Sequence, residues 1–363
     1  MKPNSSKNST SWKKATKPRS RRRVRIQGNT LNLTDPTKKH GGTVLETPQG
    51  GQEAWRSRGG GLNLPRGTRL FLTNRDVMST VYLNGEYLPK ERATISVDER
   101  GFLLSDGLYE VTPAYWGCLF RIERHMRRLQ HGLDALRIEY DPAGLPEMHA
   151  RLIAENALNA EDVAIVYLQI TRGAAPRTHH FPPAGTPPTV YAFAQVYRRP
   201  EPARWERGFE AITVPDDRWA RVDIKAIGLL PNVLAQQAAV DAGVEDALFV
   251  KDGVALEGSH NNVFAVFDGV VTTHPATRGI LHGIAREYVI ELAQAQGLPV
   301  EERPVPLEEM RGADEIFFTG TTTEVRPTVR LDGEPVGNGK VGPVAKALYQ
   351  AFQAGTRPGV SVA

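Results

Sequence analysis

The chain has 363 residues, 24% of them charged, a formal net charge of +4 and a single cysteine, Cys118. This length allows two domains with a sizeable core, and the charged share is ordinary for a globular protein. One cysteine excludes an intrachain disulfide and a cysteine-held metal cluster and suits a reducing setting, so a cytoplasmic protein is expected.

Taken in chain order, the first feature is an uneven charge. Residues 1–77 carry 17 Lys and Arg against 4 Asp and Glu, whereas the remaining residues carry 28 against 37. The folded part would therefore repel a polyanion, and nucleic acid is not an expected partner. Residues 1–77 contain the runs Arg21-Arg22-Arg23 and Gly59-Gly60-Gly61 and no sustained apolar periodicity. Such a stretch cannot bury enough surface to offset its chain entropy, and it is read as a disordered basic extension. A transit segment, or an upstream stretch ahead of a native start at Met78, are the alternatives, with tethering to nucleic acid a third. No apolar run approaches the ~18 residues of a membrane span, so no membrane partner is expected.

From Met78 the composition changes. Met78 to Leu88 reads as strand, Asn84-Gly85 turn and strand, and Asp252-Gly253, Asp268-Gly269 and Asp332-Gly333 repeat the hairpin signal between apolar or β-branched residues. Much of the sheet structure is thus expected to be antiparallel. Met126, Leu129, Leu133 and Leu136 recur at helical spacing, as do Leu145, Met148, Leu152 and Ile153. Further helices are predicted over Val233–Ala242, Ile284–Gln296 and Val344–Phe352. The segment Arg198-Arg199-Pro200-Glu201-Pro202 resembles a linker, which divides the folded part into a smaller α/β domain over 78–198 and a larger one over 203–363.

No HExxH spacing, Walker loop or G-x-S-x-G elbow occurs, so metal-hydrolase and P-loop chemistry lose ground and no metal is expected. Lys225 stands in Val222-Asp223-Ile224-Lys225-Ala226-Ile227. An amine among apolar side chains is harder to keep charged, and a neutral amine attacks an aldehyde carbon. Alone, such a lysine is more often one that snorkels to solvent from a strand edge. Glu257, between an apolar strand and the polar turn Gly258-Ser259-His260-Asn261-Asn262, could hold a ring nitrogen protonated, or could be a simple turn residue. Gly279 to Arg286 leads into a helix whose free N–H groups can face a phosphate, and Thr319-Gly320-Thr321-Thr322 could add donors; each is otherwise an ordinary loop.

In this order the pieces resemble the fold-type IV pyridoxal-phosphate enzymes, and among them the D-amino-acid transaminases. The likeness runs from about Val81 to Phe352 and includes Asp98-Glu99-Arg100-Gly101-Phe102, Ser105-Asp106-Gly107-Leu108-Tyr109-Glu110-Val111, His125-Met126-Arg127-Arg128-Leu129, Glu257-Gly258-Ser259, Gly283-Ile284 and Thr321-Thr322. The resemblance implies an α/β (α+β) fold of two domains with largely antiparallel sheets and flanking helices. It implies a homodimer with residues of both subunits near the site, and pyridoxal 5′-phosphate as cofactor. Lys225 would be the Schiff-base lysine and proton shuttle, Glu257 the partner of the ring nitrogen, and Arg128 with Ile284, Ala285 and Thr321 the phosphate cup. Arg177 and His179, with Tyr109, would trap the α-carboxylate of a D-amino acid of the D-alanine type, the amino group passing to a 2-oxo acid such as 2-oxoglutarate.

This sequence departs from that pattern at His260, Ala285 and Gly320, where small hydroxyl residues are common, so a cup built more from backbone donors is expected, with His260 near the ring face and His282 near the substrate. Within the same fold, a branched-chain L-amino-acid transaminase, an (R)-amine transaminase and an aminodeoxychorismate lyase are the rivals, and an inactive scaffold is the rival of another class. Arg177 with His179 opposes the first three, and Lys225 with Glu257 the last.

Overall fold

The computed structural model describes residues 79–357, which belong to one compact unit; the basic extension expected over residues 1–77 lies outside them. The chain begins with β1 (Thr80–Leu83) and β2 (Glu86–Pro89), then α1 (Arg100–Leu104), β3 (Gly107–Tyr115), β4 (Cys118–Leu119), α2 (Ile122–Leu136), α3 (Leu145–Glu155), β5 (Ala164–Thr171) and β6 (Thr189–Val196). These six strands form one antiparallel sheet in the order β2-β1-β6-β5-β3-β4. Leu129 and Leu133 of α2 and Leu152 and Ile153 of α3 pack on Leu108, Val166 and Leu168 of the sheet, all buried. The helical spacing in the sequence thus marks the face each helix lays on the strands, and truncating Leu133 to Ala should cost about 2–5 kcal/mol.

A second sheet follows. Its elements are α4 (Pro202–Arg207), β7 (Phe209–Pro215), α5 (Leu230–Asp241), β8 (Asp246–Lys251), β9 (Val254–Gly258), β10 (Asn262–Phe267), β11 (Val270–Thr273), α6 (Ile284–Ala295), β12 (Val300–Glu302), β13 (Val305–Pro306), α7 (Leu307–Arg311), β14 (Glu315–Gly320), β15 (Glu324–Leu331), β16 (Glu334–Pro335) and α8 (Pro343–Gly355). The order is β12-β11-β10-β14-β15-β7-β8-β9-β13, with β16 on β15 and a single pair, Asn262 with Glu257, joining β10 back to β9. Strands β7 to β10 with β14 and β15 therefore close into a ring at Glu257. Most pairings are antiparallel; β7 runs parallel to both β8 and β15, and β11 to β12. Both faces are buried, and alternation sorts them: Phe264 and Phe317 meet Tyr288 of α6 and Phe352 of α8, while Val263, Ala265, Ile316 and Phe318 turn into the opposite core.

All four hairpin turns expected from the sequence are present, with positive φ at both residues of each, as in Asn84 (49°) and Gly85 (99°). Helices α2, α3, α6 and α8 lie where their spacing predicts. Helix α5 starts three residues before its predicted Val233, because Pro231 fits a first helical turn, where its missing N–H costs nothing. The Arg198–Pro202 segment is tied down: Arg199 donates to Glu324 Oε2 at 2.9 Å and also pairs with Asp162, and Tyr115 Oη of β3 reaches the same Glu324 at 3.1 Å. No helix among the described residues is long and apolar enough to cross a membrane.

Candidate active site

A cavity of about 920 Å³ opens between the start of β3, the end of α2, the 222–232 segment, the β9–β10 turn, the first turn of α6 and the β14–β15 turn. Lys225 lies in its wall, half-buried, in the irregular stretch between β7 and α5. It is not at a strand edge; backbone bonds stitch its segment to the other sheet. Tyr109 N donates to Lys225 O at 3.0 Å and Ile227 N to Gly107 O at 3.1 Å. Before it, Asp223 is buried and held by Arg221 Nε at 2.9 Å and His131 Nε2 at 3.2 Å, and the Arg221 hydrogen bond takes its carboxyl down to about 2. The segment is thus fixed on both sides of the lysine, and the Lys225 ammonium sits 4.1 Å from the centroid of the Tyr109 ring, a cation–π contact.

Glu257 ends the ring of strands and is buried at the cavity wall. Its Oε1 accepts from Arg218, and its Oε2 accepts from Asn262 Nδ2 at 2.8 Å and from Leu281 N at 3.0 Å. Burial pushes this carboxyl up to about 7, against the pull of Arg218 and of the Leu281 N–H. Arg218 cannot compensate it fully because it is shared: its Nε and Nη2 donate to Asp216 at 2.7 and 3.1 Å. Two carboxyl groups thus share one guanidinium, and Glu257 is the one of them that lines the cavity.

Arg128, from α2, donates through Nε (2.8 Å) and Nη2 (2.7 Å) to Glu110 of β3 and through Nη1 (3.0 Å) to His282 O, just ahead of α6. Glu110 also meets His125 Nδ1 at 2.9 Å. Burial opposes ionisation there, but Arg128 and His125 hold the Glu110 carboxyl well below the usual range. Ile284 and Ala285 open α6 at the cavity, and its cap, Gly283, gives no side-chain hydrogen bond, which leaves first-turn N–H groups unclaimed by a side chain. A Cβ on Gly283 would stand 2.0 Å from Asn262 Oδ1, so this approach needs glycine. Thr321 lines the same corner, its hydroxyl 3.3 Å from Val111 O.

Tyr109 and His179 line the cavity. Arg177 is exposed and is not among its lining residues, so its own chain does not bring it to Lys225. His260 lines the cavity, its Nδ1 2.8 Å from Ser259 Oγ. The side chain of His282 does not: it turns outward, and Nε2 donates to Thr277 O at 3.0 Å. Sequence reasoning assigned no role to Arg218, Glu110 or Asp106. For Glu110 a signal existed, a charge at an inward position of an otherwise apolar strand; for Arg218 there was none. No cluster of His, Cys, Asp and Glu among the described residues could hold a metal.

Comparison with known proteins decides the family. Residues 107–331 match the family described as amino-transferase class IV. The chain belongs to it. Among curated relatives, a D-alanine aminotransferase of Staphylococcus epidermidis is 38% identical over 278 residues, 76% of this chain and 97% of that protein. One of Bacillus licheniformis is 37% identical over 275 residues, 75% and 95% of the two chains. Among solved structures, the branched-chain amino acid aminotransferase of Escherichia coli superposes with a TM-score of 0.72 at 28% identity, covering 78% of this chain and 97% of that one. The T.th. enzyme of that name, solved with pyridoxamine 5′-phosphate, gives 0.70 at 28% identity over 77% and 96%. The fold is therefore that of the fold-type IV aminotransferases, with the activity of the family an amino-group transfer.

Pyridoxal 5′-phosphate is the cofactor this membership implies, and the residues present suit it. Thr319 Oγ1 and Asn261 Oδ1 are buried at the cavity wall with no partner among the described residues. Glu257 presents a carboxyl to the cavity that can accept from a ring N–H, α6 offers backbone donors for a phosphate, and Lys225 presents a primary amine.

Proposed function

We propose that this chain transfers the amino group of a D-amino acid, of the D-alanine type, to a 2-oxo acid such as 2-oxoglutarate, with pyridoxal 5′-phosphate bound in the cavity. The observation that carries the proposal is the placing of an amine, Lys225, and an under-compensated carboxyl, Glu257, on the walls of one cavity beside the open end of α6. Bound there, the cofactor supplies an aldehyde carbon and a ring that draws electrons from the substrate Cα.

The protein's residues then have separate tasks. Lys225 Nζ would hold the cofactor through its aldehyde carbon, and as a free amine it would carry the proton taken from the substrate Cα. The Tyr109 ring, its centroid 4.1 Å from Lys225 Nζ, limits where that amine can stand. Glu257 keeps the ring nitrogen protonated, and Arg128, Ile284, Ala285 and Thr321 hold the phosphate. Arg177 and His179, with Tyr109, hold the substrate α-carboxylate, a guanidinium offering two parallel donors that fix its orientation.

Because Arg177 stands outside the cavity of its own chain, that role needs a second copy, and a homodimer is part of the proposal. Leu230, Val233, Leu234 and Val240 leave one side of α5 apolar and exposed, and exposed Trp219 lies at the cavity mouth, which supports a covered surface here. A branched-chain L-amino-acid transaminase is the second reading, favoured by the superposed structures; the higher identity to D-alanine aminotransferases and the Arg177-x-His179 spacing favour the first. Turnover of D-alanine against L-leucine, each with 2-oxoglutarate, separates them: the proposal expects D-alanine to be used at least about tenfold faster, and preference for L-leucine would refute it. Replacing Arg177 by Ala should raise the KM for D-alanine about 10- to 100-fold and spare cofactor binding.

A further inference from the structure

Beside the cavity, two buried guanidinium groups converge on a single carboxylate. Asp106, between α1 and β3, accepts from Arg100 Nε at 2.9 Å and from Arg172 Nε at 2.8 Å on Oδ2, and from Arg172 Nη2 at 3.0 Å on Oδ1. The side chains of Arg100 and Arg172 are 3% and 8% exposed, so their positions are set by these partners and not by solvent. From that fixed centre both arginines reach the loop between β5 and β6. Arg100 Nη1 donates to Thr178 O at 3.0 Å, and the Arg172 guanidinium lies 3.7 Å from the centroid of the Phe181 ring, which Arg137 approaches at 4.6 Å. Arg172 is itself locked to the end of α2 through Leu136 O at 2.7 Å and Arg137 O at 3.0 Å.

The two points held are residues 178 and 181, and between and beside them lie His179 and Arg177. We propose that Asp106, acting through Arg100, Arg172 and Phe181, is the positioning residue that sets the substrate-carboxylate loop. The inference rests on the reading of Arg177 and His179 given above. A carboxylate trap works only if its donors stand ready before substrate arrives, since ordering a free loop on binding would consume affinity. Flat guanidinium groups suit this clamp as lysine could not: Arg172 uses its edge for Asp106 and the carbonyls and its face for Phe181. One carboxylate against two cations also leaves a positive surplus at a wall that both arginines line, which favours an anionic substrate.

The test compares Phe181→Leu, a change in an exposed side chain, and Asp106→Asn with the wild type and with Arg177→Ala. Each single variant should raise the KM for D-alanine about tenfold while kcat stays within about twofold, and Phe181→Leu should add less than about twofold in the Arg177→Ala background. A nitroxide on His180→Cys, with Cys118→Ser, should show a more mobile loop in both variants. A residue that merely stabilised the fold would lower the melting temperature and leave KM and the label unchanged. An unaltered KM with an unaltered label, or a rise in KM just as large without Arg177, overturns the proposal. Wild-type KM in Arg177→Ala alone would instead sink the carboxylate reading, and the label would still decide whether Asp106 holds the loop.

Discussion

Two buried glutamates, one in each sheet, have opposite electrostatics. Glu110 has Arg128 on both oxygens and His125 beside it, and its carboxyl is held well below the usual range. Glu257 has an arginine too, but Arg218 divides its donors with Asp216, and burial takes Glu257 up to about 7. The difference lies in how many carboxylates one guanidinium serves. The first pair is charge-matched and ties β3 to the approach to α6 while Arg128 still lines the cavity; in the second, two carboxyl groups share one guanidinium, and Glu257 is the one that lines the cavity.

The largest expected effect falls on the amine in the cavity wall, Lys225. Lys225→Ala should lower D-alanine turnover by about 10⁴-fold or more, the upper range for losing a positioned proton carrier; stopped-flow transfer from D-alanine checks it, and residual turnover near wild type would break the assignment. Glu257→Gln should follow, with kcat down about 10²-fold, the scale of one preorganised electrostatic partner, and with cofactor still bound. Glu110→Gln should act differently. It leaves Arg128 buried without its charge partner, so it should cost about 3–5 kcal/mol of stability in urea unfolding; a large fall in kcat without loss of stability would contradict the division of roles.

The smallest effect is a pH dependence. The Glu257 carboxyl is raised in the folded cofactor-free protein, so protonation there favours the fold. Its contribution is fully present below the ordinary glutamate value and is lost as pH rises through about 7. Between pH 5 and pH 8 the cofactor-free wild type should lose stability relative to Glu257→Gln, on the order of 2–3 kcal/mol. Glu110, shifted the other way, contributes stability above the ordinary value that is lost only in stronger acid. Parallel urea midpoints for the two proteins across this range would show that Glu257 is not poised.

Elements encoded by local chemistry were legible in the sequence. The four Asn-Gly and Asp-Gly turns need φ above zero at both positions, and the apolar spacing of α2, α3, α6 and α8 is that of a helix with one covered face. Lys225 and Glu257 could be named because each sits in an unusual local setting and because the family pattern joins them. What the sequence could not reveal was partnership across long separations. Arg218 meets Glu257 from 39 positions away, and Arg100 meets Thr178 from 78, and no pattern along the chain announces either. The placing of Arg177 outside its own cavity was equally hidden, since a loop's direction depends on what its flanking strands and the Asp106 cluster allow.

The central claim is that Lys225 is the amine that holds the cofactor in this cavity. Reduction of the cofactor-loaded protein with borohydride, followed by digestion and mass mapping, tests it most directly. A phosphopyridoxyl mass on the peptide carrying Lys225, absent in Lys225→Ala, is the result expected; the label on another lysine, or on none, would contradict it.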